Sequence, residues 1–489
     1  MRWLPAAVVL TALVLYLVTL APGLLWGDSA KFQRMAWEGE LRFDETGHPL
    51  WVFLVHPLTR IPGLDSTRAC NLSSAVLSAV ALWPAFRIMR RLDASQTAAA
   101  IACLALAVSH TYWFHAVIAE VYALNSLASL LVLDLLLGAA HPETRGPLSI
   151  VPCLLLGLLF GAASGNHLLV MLWLPGLVWL GAVAMRSAGL SAAGAVSAAA
   201  GCLAGLAPFV ALHAMVGMSK PLPVLIARLA RQALLPERPL ADLASLTGYL
   251  LYQFPLPLML GAAVAGGARL WRERRAEAIG LALLYATTAA FAFSYQAKDR
   301  FAFYLPSYLV VAILGACGLD ALLSALTPRR LRPVHAALAA GALCVAGPPI
   351  AYHLAARLAG PAIVKLGPAA RNLPGRDAAL YHLDPDKSGN DGARRFCEEA
   401  FAVLPREAVL LTDFTIGEPL AYLQVVETRR PDVEIFSALP RLQLKMALER
   451  HRAGREVYLA AVDSYYDIEG ISRHFDIVPA GPLHHLIAR

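Results

Sequence analysis

The chain has 489 residues, of which 58% are hydrophobic and 15% are charged, against roughly 25% charged residues in soluble proteins. With a mean hydropathy of +0.58, this composition excludes a water-soluble globule and predicts a polytopic α-helical membrane protein. The net charge of +7 is assigned to basic cytoplasmic loops, and no nucleic-acid partner is predicted.

Uncharged runs between charged residues predict the membrane spans, because a charge at the bilayer centre costs about 3 kcal/mol. The run after Arg2 is expected to be an uncleaved first span rather than a signal peptide. About eleven transmembrane helices are predicted, in the intervals 2–28, 68–87, 93–120, 120–140, 145–186 (two spans with a tight turn at 165–167), 186–220, 242–269, 277–298, 300–320 and 332–357.

The arginine clusters predict the orientation of the helices. With a cytoplasmic N-terminus, the compact groups within 87–91, 269–275 and 329–332 all lie in the cytoplasm. The opposite face then receives the loops 27–68 and 214–246 and everything after Arg357. We therefore expect an integral protein of the cell inner membrane with an extracytoplasmic C-terminal domain and with membrane lipids as partners.

The C-terminal part has a different pattern from the rest of the chain. Short β-type runs at 408–412, 433–436 and 457–460 alternate with helix-like stretches at 392–404, 418–426 and 442–452. This alternation predicts a small α/β domain over residues 375–489. A linker, 358–374, would join it to a transmembrane domain over residues 1–357.

Asp28 directly follows the first predicted span, at the water interface. Partial desolvation there would raise the pKa of its carboxylate towards that of a useful base. The other interpretation is that Asp28 caps an amphipathic helix over 29–41. Later in the same loop, His48 suits either a ligand contact or a helix cap.

Further polar residues are predicted at the same membrane surface. Glu120 would lie where the fourth helix enters the bilayer; an acid in this position indicates function, but stabilisation by the helix dipole explains it equally well. Arg228 and Arg231 belong to a basic amphipathic stretch that would either hold a lipid phosphate or face the headgroups. The other candidates at this surface are Tyr122, Asn125, Asn166, His167, Lys298, Asp299, Arg300 and Tyr304.

Five motifs follow one another along the chain: Trp26-Gly-Asp-Ser29, Gly47-His-Pro49, the segment 115–125 (HAVIAEVYALN), Gly165-Asn-His-Leu168 and the segment 300–308 (RFAFYLPSY). Together they resemble the protein O-mannosyltransferase-like group of GT-C glycosyltransferases, a membrane family long of unknown function. The resemblance covers the membrane region to Tyr308. Segments 404–412 and 422–433 also resemble the family's C-terminal domain.

The resemblance implies an enzyme that moves a sugar from a polyprenyl-phosphate donor to an acceptor hydroxyl of a protein, lipid or glycan. The position that matches the family's catalytic acid is Asp28, which would act as the base. Phosphate would be held by Arg300, Lys298 or the pair Arg228 and Arg231. Glu120 with His167 would orient the sugar or the acceptor.

The chain departs from the family pattern in its first loop. Lys31 stands where the family has a glutamate, and His48-Pro-Leu-Trp51 replaces His-Pro-Pro-Gly. The loss of this carboxylate weakens a two-carboxylate metal site, so a divalent metal is possible but not supported and no other cofactor is predicted; Lys31 in contact with phosphate would favour a metal-independent reaction. Two alternatives stay open: a non-catalytic relative, and a membrane transporter or lipid-binding protein with a polar vestibule.

Overall fold

The computed structural model describes residues 3–43, 47–139, 150–188, 192–215, 239–295, 299–326, 333–359 and 371–489. In these ranges the chain forms a bundle of apolar helices, followed by a small domain built on a five-stranded sheet. The predicted combination of a helical membrane part and a C-terminal part with strands is confirmed. The exact limits of the two domains stay predictions.

The bundle contains long helices that cross it and short helices that lie at its ends. In chain order they are α1 (Leu4–Val18), α2 (Asp28–Glu38), α3 (Pro49–Val55), α4 (Ser66–Arg91), α5 (Gln96–Ala107), α6 (His110–Ala116), α7 (Tyr122–Ala139), α8 (Ile150–Ser164), α9 (Leu174–Ala188), α10 (Ala192–Met215), α11 (Pro239–Gln253), α12 (Pro257–Glu273), α13 (Arg275–Ser294), α14 (Arg300–Phe303), α15 (Leu305–Leu326), α16 (Pro333–Gly341) and α17 (Gly347–Ala359).

The number of spans differs from the prediction. Among the described residues, seven helices are long and apolar enough to cross a membrane, or up to nine if two bent pairs each count as one span. The pairs are α5 with α6, bent by 66°, and α11 with α12, bent by 105° where Pro257 begins the second helix. Helices α1 and α8 are apolar but have only 15 residues each. Eleven spans are therefore not confirmed.

Helices α8 and α10 pack with their backbones in contact. A Cβ atom on Gly157 would lie 1.9 Å from a carbonyl oxygen of α10, and one on Gly201 would lie 2.1 Å from the Leu154 carbonyl oxygen of α8. Because lipid tails are as apolar as helix surfaces, close packing at small residues holds such a pair together. Near the far end of α10, Nδ1 of His213 lies 2.7 Å from the carbonyl oxygen of Phe43 in the first loop.

The C-terminal domain alternates helices and strands. Its elements are α18 (Ala378–Leu383), α19 (Gly392–Val403), β1 (Val409–Thr412), α20 (Phe414–Val425), β2 (Glu434–Ser437), α21 (Pro440–Arg452), β3 (Val457–Leu459), α22 (Ile468–Ser472), β4 (Phe475–Ala480) and β5 (Leu483–Ala488).

The sheet has the strand order β2-β1-β3-β5-β4. Strands β1, β2 and β3 are the three that the sequence predicts, and they are parallel, as expected for strands joined by helices. Strands β4 and β5 form an antiparallel hairpin that the sequence analysis missed. Its turn contains Gly481, whose φ of +61° suits a glycine.

The first loop of the membrane part packs into the C-terminal domain. Trp26 belongs to the buried core of that domain, and its ring centroid lies 5.5 Å from that of Phe396 on α19. The backbone N–H of Gly27 donates a hydrogen bond of 3.0 Å to the carbonyl oxygen of Thr415 on α20. Both contacts fix the chain next to Asp28.

Polar contacts surround this apolar contact. Arg34 of α2 forms an ion pair of 3.2 Å with Glu418 of α20. The hydroxyl of Ser66, at the start of α4, lies 2.5 Å from that of Tyr422. Helices α2 and α4 thus both contribute polar contacts to the C-terminal domain.

We predict that Trp26→Ala destabilises the docked arrangement of the two parts. Trp26 is 5% exposed, and removal of a buried tryptophan side chain costs about 3–5 kcal/mol. Thermal unfolding of the detergent-solubilised protein should show a lower Tm. Trp3→Ala is the matched control, because Trp3 is 83% exposed and its replacement should leave the Tm unchanged. Equal Tm values for both variants would contradict the docking described above.

Candidate functional site

Asp28 is the first residue of α2 and follows Gly27, which caps the helix in a backbone conformation with a φ of +62°. Since the cap is Gly27, the interpretation of Asp28 as the capping residue is wrong; Asp28 lies in the first turn, where the helix dipole favours a negative charge. The predicted helix 29–41 is observed over Asp28–Glu38. The Asp28 side chain is exposed to water, although protein atoms surround it closely enough to raise its pKa.

Three predicted carboxylates form one electrostatic cluster. Burial raises the pKa of Asp28, and the charge of Lys31 opposes this effect. Burial, followed by the charge of Asp28, raises the pKa of Asp299 to about 6. The pKa of Glu120 is also raised, first by burial and then by the charges of Asp28 and Asp299. The cluster can therefore hold a proton at a pH where an isolated carboxyl group would lose it.

Two histidines stack beside this cluster. The ring centroids of His48 and His167 lie 5.2 Å apart, and Tyr122 lies 5.5 Å from His167. His48 Nδ1 lies 2.6 Å from the carbonyl oxygen of Asn166, so this nitrogen is the donor. His167 Nδ1 accepts a hydrogen bond of 3.1 Å from the N–H of Leu169, and burial lowers the His167 pKa. The neutral His167 ring therefore carries its hydrogen on Nε2.

Two buried polar side chains near Tyr122 have no hydrogen-bond partner among the described residues. They are Asn125, through both amide atoms, and His115, through both ring nitrogens. The His115 ring lies 4.6 Å from that of Tyr122. Leaving such groups unsatisfied costs about 1–3 kcal/mol each, so they are candidates to bind a polar ligand. The sequence analysis quoted His115 within a motif but did not select it as a site residue.

The remaining predicted residues have other partners or lie outside the described residues. Arg300 forms an ion pair with Asp242, and its side chain is only 11% exposed. Tyr304 is fully buried, 5.9 Å from the ring of Tyr249. Their contacts with a substrate stay predictions. Lys298, Arg228 and Arg231 lie outside the part of the chain that the structure describes.

A segment that was not predicted as part of the site adjoins it from the C-terminal side. We call residues 371–391 the roof segment. Tyr381 of this segment packs against Leu25 and Ile118, which are close along the chain to Asp28 and Glu120. The charges of these two acids act on the Tyr381 hydroxyl. The segment carries no motif in the sequence, and only the tertiary fold brings it to the site.

The roof segment brings two cationic groups to the ring of Tyr381. The guanidinium of Arg376 lies 4.4 Å from the ring centroid, and Nζ of Lys387 lies 5.0 Å from it. Lys387 is fully buried, and burial lowers its pKa to about 7 against the opposing charge of Asp384. Cations thus line the C-terminal side of the site, and acids line the membrane side.

The described residues contain no group of three or more His, Cys, Asp or Glu side chains that could hold a metal ion. Lys31 is 6% exposed and lies close enough to Asp28 and Glu120 to lower the pKa of each.

A cavity of about 730 Å³ lies between α7, α8, α9 and α10. Apolar side chains line almost all of it, among them Leu136, Phe160 and Leu203. On α7 its lining begins at Val132, more than two helical turns from Tyr122. This cavity is separate from the polar site.

Residues 43–188 match the family described as "Protein O-mannosyl-transferase TMEM260 N-terminal domain". The match contains Glu120, Tyr122 and the two stacked histidines, whereas Asp28 precedes it. No curated protein matches the sequence.

Two solved structures share the fold over almost the whole chain. ArnT from Cupriavidus metallidurans, in a crystal structure bound to undecaprenyl phosphate, is 16% identical with a TM-score of 0.58, and the match covers 99% of this chain and 97% of ArnT. An oligosaccharyltransferase from Archaeoglobus fulgidus, tethered with an acceptor peptide, is 11% identical with a TM-score of 0.53, and the match covers 100% of this chain and 74% of that one. At these identities the likeness shows the fold.

The order of motifs, the family match and the shared architecture agree. The resemblance inferred from the sequence is confirmed: the chain shares the fold of ArnT and of the oligosaccharyltransferase, which are GT-C glycosyltransferases, and residues 43–188 match the protein O-mannosyl-transferase TMEM260 N-terminal domain.

Proposed function

We propose that the protein transfers a sugar from a polyprenyl-phosphate donor to an acceptor hydroxyl at the extracytoplasmic face of the membrane, as a protein O-mannosyltransferase-like enzyme. The observation that carries this proposal is Asp28, a water-accessible carboxylate with a raised pKa, placed beside Glu120 and Asp299. The family match supports a hydroxyl acceptor. The undecaprenyl phosphate bound to ArnT supports the donor class.

The reaction requires a base and a stabilised leaving group. The acceptor oxygen forms a bond to the anomeric carbon of the sugar, the bond from that carbon to the phosphate oxygen breaks, and Asp28 takes the hydroxyl proton. The donor is a phosphodiester with one negative charge, and after the bond breaks its lipid carrier leaves as a phosphomonoester with two negative charges. The raised pKa of Asp28 suits this role, because a base is most effective when its pKa lies near the working pH.

The neighbouring groups suit the polar parts of the substrates. His167, neutral and with its hydrogen on Nε2, would donate to a sugar or acceptor hydroxyl. Asn125 and His115 offer unsatisfied polar atoms for the same purpose. The positive charge of Lys31 lowers the pKa of Asp28 and of Glu120, so it would favour the ionised form of Asp28 that accepts the proton.

The positions of arginines support the proposed orientation. Arg274 donates to the backbone carbonyl of Arg91 and forms an ion pair of 3.1 Å with Asp93, so two of the predicted cytoplasmic clusters meet at one end of the bundle. Asp28 and Glu120 lie at the other ends of the neighbouring helices. Under the positive-inside rule, this arrangement favours a cytoplasmic N-terminus and an extracytoplasmic site.

We predict that Asp28→Asn lowers the rate of sugar transfer by at least about 100-fold, because the amide cannot accept the proton. The assay measures transfer of labelled mannose from mannosyl undecaprenyl phosphate to membrane acceptors, with Tm as a check of folding. Glu40→Gln, in the same loop and outside the cluster, is the control and should keep the wild-type rate. A normal rate for Asp28→Asn would remove Asp28 as the base, and a wild-type protein inactive with every polyprenyl-phosphate sugar would overturn the proposed function.

We also predict a shift in the pH dependence of transfer for Lys31→Gln. The wild-type rate should fall as the pH decreases through the raised pKa of Asp28, since only the ionised carboxylate accepts a proton. The charge of Lys31 lowers the pKa of Asp28, so a neutral Gln makes ionisation of Asp28 harder and moves this fall to a higher pH, by about one unit or less. Lys445→Gln, at an exposed lysine of the C-terminal domain, should leave the profile unchanged. Identical profiles for all three proteins would show that Lys31 and Asp28 do not interact.

A further inference from the structure

The guanidinium of Arg376 forms no ion pair with a carboxylate among the described residues, and its buried Nε has no hydrogen-bond partner there. Its main contacts are with Tyr381: it lies 4.4 Å from the ring centroid, and the two side chains are hydrogen-bonded. A planar guanidinium stacked on an aromatic ring keeps its edge available for hydrogen bonds.

The carboxylate that acts on the charge of Arg376 already forms an ion pair with another arginine. Asp413 is the carboxylate whose charge acts on Arg376, but it accepts a hydrogen bond of 2.6 Å from Arg371. Arg371 itself repels Arg376 and also pairs with Asp463 at 2.7 Å. Burial lowers the pKa of Arg376, as expected for a charge that is desolvated without compensation. An anion bound at Arg376 would offset this cost.

Tyr381 links Arg376 to the carboxylate cluster. The Tyr381 ring packs on Leu25 and Ile118, and the charges of Glu120 and Asp28 act on its hydroxyl. Neither acid is among the charges that chiefly act on Arg376. Tyr381 therefore contacts Arg376 and lies within electrostatic reach of both acids.

Other cations of the site have partners of their own. Arg300 pairs with Asp242, and Lys31 interacts with the acids of the cluster. Lys387 donates to the carbonyl oxygen of Asp384 and is fully buried. Among the described residues that line the site, Arg376 is the cation best placed to receive an anion.

We propose that Arg376, held flat by Tyr381, binds the phosphate of the polyprenyl carrier in both the donor and the leaving group. This inference rests on the proposed function, since it assigns the phosphate subsite of that reaction. The leaving group gains one negative charge as the sugar departs, and a guanidinium can form two parallel hydrogen bonds to phosphate oxygens. With its phosphate at Arg376, the carrier would present the sugar to the acceptor hydroxyl, whose proton goes to Asp28.

The test compares binding of undecaprenyl phosphate and undecaprenol to the full-length protein in nanodiscs. The wild-type protein should prefer the phosphate by about tenfold or more, as expected for charge-assisted hydrogen bonds. Arg376→Gln should remove most of this preference and leave the affinity for undecaprenol unchanged. Arg376→Lys keeps the charge without the two-pronged geometry and should retain part of the preference. Arg395→Gln, an exposed arginine of the same domain, should behave as wild type.

The outcomes separate the inference from the proposed function. Full phosphate preference in Arg376→Gln, or in Arg376→Lys if the Gln variant does not fold, would overturn the assignment and leave the proposed function standing. An equal loss of affinity for both lipids would also overturn it, since Arg376 would then serve only to position Tyr381. Phosphatidylglycerol that competes as well as undecaprenyl phosphate would show a site for any lipid phosphate. A wild-type protein without preference would contradict the proposed donor itself.

Discussion

The insertion of Trp26 into the core of the C-terminal domain is the contact on which the arrangement of the site depends. The chain leaves the membrane helix α1, reaches this core, and starts α2 at Asp28 only two residues later. The hydrogen bond from Gly27 to Thr415 fixes the intervening backbone from the domain side. Asp28 therefore takes its position from two separate parts of the chain, and a change in either part would move it.

The membrane part of the protein supplies the acids of the site, and the C-terminal part supplies cations. Asp28, Glu120 and Asp299 on the membrane side would repel one another, and burial makes that repulsion stronger. The C-terminal side brings the cations of Arg376 and Lys387 to one aromatic ring, that of Tyr381. A donor with a phosphate group and an acceptor with a proton to release would complement these two sides.

Much of the architecture was predictable because it depends on local composition. Charged residues cannot remain in lipid, so the intervals between them locate the apolar helices, and alternating hydrophobic runs locate β1, β2 and β3. The bend between α5 and α6 and that between α11 and α12 were not predicted, because both halves of each pair are apolar. The carboxylate cluster was predicted from shared membrane depth, whereas Arg376 and Tyr381 reach it through folding of distant segments. The partner of Arg300, Asp242, likewise depends on tertiary packing.

The glycine seam between α8 and α10 has a consequence for how this protein can vary. A methyl group at Gly157 or Gly201 would act as a wedge, since a carbonyl oxygen already occupies its place. A tilt of α10 would move His213 away from the carbonyl oxygen of Phe43. The loop that contains α2 and Phe43 would then lose one of its contacts with the bundle. A substitution at either glycine, deep in the hydrocarbon layer, would thus disturb the loop that carries Asp28 without replacing any residue of that loop.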